Sequence, residues 1–72
     1  MEGFTAVFEQ QEDWWIGYVE ELPGANTLGR TLEETRSNLQ EAIKLIIEAN
    51  RALAQQEIAG KQVIREKLMV QV

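Results

Sequence analysis

The sequence predicts an α+β domain of order βββαβ with a single helix packed on one face of the sheet. Three observations predict it. Residues 4–22 are two runs rich in aromatic and β-branched side chains with a polar stretch between them, a long helical stripe starts at Thr31, and an alternating apolar segment runs from Val63 to Val72. The 72 residues make one domain of 8.2 kDa, residues 1–72, because compact domains begin at about 50 residues. A chain this short hides only about 60% of the surface its unfolded form exposes. A thin core follows, and with it the expectation of self-association as a homodimer or homotetramer.

The first strand is Phe4-Thr5-Ala6-Val7-Phe8-Glu9, which breaks at the polar hairpin connection Gln10-Gln11-Glu12-Asp13. The second run, Trp14 to Leu22, stops at Pro23-Gly24, where proline presets φ and glycine accepts the positive φ of a type II turn. Ala25-Asn26-Thr27-Leu28 has room for a brief third strand, antiparallel to the second. Thr31-Leu32-Glu33-Glu34 reads as a capping box. The threonine hydroxyl accepts from the Glu34 amide, and the Glu34 carboxylate reaches back to the Thr31 amide.

Leu32, Leu39, Ala42, Ile43, Ile46, Ile47, Ala49 and Leu53 then form a helical stripe. Gly60 is its natural stop. In the closing strand Ile64, Leu68, Val70 and Val72 lie on one side, with Arg65, Lys67 and Gln71 on the other. From Thr31 to about Glu57 the helix would run about 40 Å, longer than the ~30 Å width of a small domain. Leu53 and Ile58 fall in the overhang, so either a neighbouring subunit covers it or the helix breaks near Gln55-Gln56.

Composition excludes much chemistry. The chain has no cysteine and no histidine, which removes disulfides, thiol nucleophiles, thiolate metal sites and the commonest general base. The formal charge is -5. Residues 1–29 hold six acids and no base (-6), while residues 30–72 hold six acids and all seven bases (+1). That balance argues against direct nucleic-acid binding. No run approaches the ~20 apolar residues of a membrane span, and Met1-Glu2-Gly3 lacks a positive leader, so a cytoplasmic protein without membrane attachment is expected. The five glycines match no phosphate-binding spacing, and no cofactor is indicated.

Alternation along the second strand sends Trp14, Ile16, Tyr18 and Glu20 one way and Trp15, Gly17, Val19 and Glu21 the other. Each face carries a tryptophan, yet one helix covers one face only. Aromatics beside carboxylates suit a basic protein partner, because opposite potentials steer encounter. Trp14, Tyr18, Glu20 and Glu9 are therefore the candidate partner-binding residues. Trp15 and Glu21 inherit that role if the helix covers the Trp14 face. Stacking of nucleic-acid bases on Trp14 and Trp15 would need a cationic groove that residues 1–29 lack.

Three segments carry a family resemblance: Phe4-Thr5-Ala6-Val7-Phe8-Glu9; Tyr18-Val19-Glu20-Glu21-Leu22-Pro23-Gly24; and Gly29-Arg30-Thr31-Leu32-Glu33-Glu34, followed by Asn38 and Glu41-Ala42-Ile43. In this order they resemble the HicB-type antitoxins over most of residues 4–47. The resemblance implies a truncated ribonuclease-H-like sheet of strand order 3-2-1-4. It further implies a non-enzymatic domain that binds and occludes a small basic HicA-type mRNA-cleaving toxin. Many members also carry a C-terminal DNA-binding module, which these 72 residues do not include. Arg30 and Thr35 depart from the family, which often has an acid or polar residue and an alanine there.

Two alternatives accompany that expectation. One is a solitary oligomeric module of the same fold with no toxin partner. The other is a carboxylate-metal nuclease, for which Glu9, Glu41 and Glu66 are the one candidate trio.

Overall fold

The computed structural model describes residues 3–71. Strands β1 (Ala6–Gln11), β2 (Trp14–Val19) and β3 (Asn26–Gly29) form an antiparallel sheet of order β1-β2-β3, and helix α1 (Leu32–Ile58) packs on one face of it. The α+β class and the first four elements are those the sequence predicts. Among the described residues, 62–71 have no strand partner and form no strand. The alternation of that segment supplies a face to bury, but a strand also needs a ladder partner, and among the described residues it has none.

The β1–β2 hairpin is tighter than its composition predicts. Gln10 and Gln11 join β1, paired with Trp15 and Trp14, which leaves only Glu12 and Asp13 in the turn. Glu12 takes a left-handed φ of 55°. At the other end of β2 the Pro23-Gly24 turn forms as the residue pair demands. Gly24 has φ 92°, and the Ala25 amide donates to the Leu22 carbonyl at 3.1 Å.

Helix α1 begins at the predicted cap. The Glu34 amide donates to the Thr31 hydroxyl at 3.0 Å. The Glu34 carboxylate reaches one residue further back than a capping box requires and accepts from the Arg30 amide at 2.9 Å. Through Gln55 and Gln56 the helix is continuous, because both residues are compatible with helix and no breaker precedes Gly60, whose φ is 78°. The break offered as one resolution of the overhang does not occur.

Three apolar residues, Val19, Ala25 and Leu39, form the buried centre, with Phe8, Leu22, Ile43 and Ile46 packed around them. Residues 48–57 are exposed. The Cα radius of gyration is 15.7 Å, against about 11 Å for a compact chain of this length. That excess reflects a helix that outruns its sheet.

The tightest point of the fold is Thr35, which is fully buried. Its hydroxyl donates to the Thr31 carbonyl at 2.7 Å, and its methyl and backbone press on two glycines of the sheet. A Cβ at Gly29 would lie 2.8 Å from the Thr35 amide nitrogen and 3.0 Å from its Cα. A Cβ at Gly17 would lie 2.9 Å from the Thr35 methyl. Because the obstacle at Gly29 includes backbone, Gly29→Ala is expected to cost about 1–3 kcal/mol, measured as a lowered urea midpoint. Glu12→Gly is expected to act the other way. Relief of the left-handed conformation, worth at most about 1 kcal/mol, should raise that midpoint.

Candidate functional site

Cross-strand register assigns every side chain of the sheet to a face. Ala6 pairs with Val19, Phe8 with Gly17 and Gln10 with Trp15, while Gly17 pairs with Thr27 and Trp15 with Gly29; these residues form the helix-covered side. Val7 with Tyr18, Glu9 with Ile16, Gln11 with Trp14, and Leu28 and Asn26 beside Ile16 and Tyr18 form the other. The helix takes the Gly17–Val19 side because the glycines let it approach closely there. Trp14, Tyr18 and Glu9 therefore share the helix-free face, and the condition for transferring their role to Trp15 and Glu21 is not met.

On this face Trp14, Tyr18 and Leu28 are exposed, at 43%, 41% and 55% of their surface, with Ile16 and Val7 half-buried between them. A shallow depression of about 490 Å³ is lined by Gln11, Glu12, Trp14, Ile16 and Leu28. Glu9, paired with Ile16, accepts a 3.1 Å hydrogen bond from the Gln11 side chain. Glu20 lies just beyond β2, exposed, its amide donating to the Thr5 carbonyl at 3.0 Å. Three of the four predicted residues thus share one surface, and the fourth extends the chain at its end.

Sequence reasoning missed Arg30. Its guanidinium carbon sits 4.3 Å from the centre of the Trp14 ring, a cation–π contact that places a base on an otherwise acidic surface. The signal was present: once Gly29 is paired with Trp15, Arg30 comes beside Trp14.

Glu21 has a structural task. Its carboxylate accepts from the Thr5 hydroxyl and, at 2.7 Å, from the Thr5 amide, tying the start of β1 to the end of β2. Those bonds, the hydroxyl first, hold its pKa below the usual carboxylate value of 4.5.

Glu9, Glu41 and Glu66 do not gather. Among the described residues no three acidic side chains come close enough to hold a metal ion together. Likewise, no helix among the described residues is long and apolar enough to cross a membrane.

The fold and site define a small α+β domain with one sheet face covered by its helix and the other left open. The chain belongs to the UPF0150 family. It is 34% identical over 65 residues to a UPF0150 protein of Archaeoglobus fulgidus, an alignment covering 89% of this chain and 94% of that protein. A UPF0150 protein of Thermotoga maritima is 40% identical over 47 residues, 62% of this chain and 63% of the relative. One from a Synechocystis species is 44% identical over 46 residues, 61% of this chain and 62% of the relative. For these last two the match spans less than two thirds of the relative's length. No protein-family model and no solved structure matches the chain.

A carboxylate whose folded pKa is lowered stabilises the fold above its unfolded pKa, and the contribution is lost as pH falls through the folded value. Glu21→Gln should therefore lower the urea midpoint at pH 7. The gap to the unaltered chain should narrow as pH falls below 4.5 and Glu21 itself takes up a proton. A gap that stayed constant from pH 7 to pH 3 would contradict this assignment.

Proposed function

We propose that this chain is a non-enzymatic, HicB-like antitoxin domain that uses its helix-free sheet face to occlude a small basic HicA-type mRNA-cleaving ribonuclease. One observation carries the reading. Exposed Trp14, Tyr18 and Leu28 lie together on a surface bordered by Glu9, Glu12 and Glu20, and residues 3–29 contain no lysine or arginine. Large aromatics supply contact area at low entropic cost, and the surrounding carboxylates select a cationic partner and repel an anionic one. Arg30, held on Trp14, orients the ring and leaves its own edge for an acceptor on the partner.

The mechanism is steric and electrostatic: the toxin's RNA-binding surface is covered, and RNA, being anionic, is kept from the complex. No cofactor or metal enters this reading, and a cytoplasmic site of action goes with it. The finer fold assignment belongs to it too. In a truncated ribonuclease-H-like sheet of order 3-2-1-4 the fourth place is the outer edge of β1, which no described residue occupies. A solitary oligomeric module without a toxin is the second reading, favoured by the exposed apolar segment after the helix.

The test uses the product of a short, basic, histidine-containing reading frame beside this one. Adding the chain should stop that protein's RNA cleavage near equimolar ratio. Trp14→Ala should weaken the complex about 30-fold, the effect of a ~2 kcal/mol contact residue, and Glu9→Lys should weaken it with a reduced salt dependence. Cleavage that continued undiminished at low salt would remove the antitoxin reading and leave the solitary module.

A further inference from the structure

The outer edge of β1 is unpaired among the described residues, and beside it lies an apolar groove. The groove has a volume of about 290 Å³ and is lined by Phe4, Ala6, Phe8, Leu39 and Ile43 together with Arg36 and Gln40. It exists because α1 packs on β2 and β3 and leaves the β1 side of the same sheet face thinly covered. Open strand edges invite addition of a further strand, and an apolar groove next to one rewards every second side chain of that strand.

A segment with that pattern is present in the chain. Residues 62–71 are unpaired and exposed, with Ile64 showing 91% of its surface, Leu68 78% and Val70 63%; in an extended strand these three share a side with Glu66. The intervening positions include Arg65 and Lys67. Residues 61–71 carry Lys61, Arg65 and Lys67 against one acid, Glu66, whereas β1 carries one acid, Glu9, and no base, and the charged residue lining the groove is Arg36.

We propose that residues 62–71 of a second copy of this chain add to the outer edge of β1 and seat Ile64, Leu68 and Val70 over the groove, reciprocally, in a two-fold strand-exchanged dimer. The proposal rests on the strand order 3-2-1-4 and not on the toxin. Lengths select the second copy. Residues 48–58 carry α1 about 16 Å beyond the part that packs on the sheet, and residues 62–71 reach about 33 Å when extended. A tail returning to its own β1 spends half its reach along that overhang. In the single chain Arg65 lies there, lining a depression with Arg51, Ala54, Gln55 and Ile58. In a two-fold pair with antiparallel helices, the tail starts next to the partner's β1 and its whole length is available. The same arrangement covers Leu53, 58% exposed on the overhang.

Light scattering on the full chain at micromolar concentration should report a dimer. Leu68→Asp and Val70→Asp should each raise its dissociation constant at least about 100-fold, the effect of forcing a carboxylate into an apolar contact, with helix content by circular dichroism unchanged. Because the chain has no cysteine, Ala6→Cys in one preparation and Leu68→Cys in another, mixed and treated with a flexible bis-maleimide, should yield a mixed covalent dimer. A monomeric chain, a dimer indifferent to both aspartates, or the absence of the mixed covalent dimer would each overturn the exchange. Toxin inhibition is a separate readout, so either proposal can fail alone.

Discussion

Everything in this fold is positioned by the contact of one threonine with two glycines. Thr35, in the first turn of α1, is buried against Gly17 of β2 and Gly29 of β3 so closely that neither glycine has room for a Cβ. Its hydroxyl, which would be costly to bury unpaired, donates to the Thr31 carbonyl and so satisfies itself within the helix. Asn38, one turn on, donates to the Leu28 carbonyl at 3.0 Å and fixes the helix against β3. With the helix held there, Leu39 falls on Val19 and Ala25, and the small core closes. The same contact sets what stays open, since a helix drawn toward β2 and β3 cannot also cover β1.

The elements governed by local chemistry could be read from the sequence. Pro23-Gly24 makes its turn because proline fixes one dihedral and glycine tolerates the other. Thr31 caps the helix because its hydroxyl meets an orphan amide. The elements governed by partners could not be read in the same way. Gln10 and Gln11 have no strand signal of their own and join β1 because Trp15 and Trp14 lie opposite them. The segment after Gly60 has a strand's alternation and no strand, because pairing is a property of two segments.

The candidate face was legible in part. Alternation placed Trp14 with Tyr18, but choosing the covered side required reading Gly17 as a point of close helix approach rather than as a gap in the strand. Arg30 was missed because its neighbour Trp14 is sixteen positions away in sequence, brought close only by the β2–β3 register.

The two proposed surfaces are joined through the charge of β1. A strand seated on the outer edge with Ile64, Leu68 and Val70 toward the helix side necessarily turns Arg65 and Lys67 toward the helix-free side. They would then stand beside Val7, Glu9 and Gln11, the helix-free residues of β1. Assembly would partly neutralise Glu9 while leaving Glu12 and Asp13 at the hairpin and Glu20 at the opposite end untouched. A basic partner of the dimer would therefore be held mainly at the two ends of the strands, with Trp14 and Tyr18 between them as the uncharged contact. The strength of its electrostatic attraction would depend on whether the tails are exchanged, so that dimerisation and partner binding compete for Glu9, which both would contact.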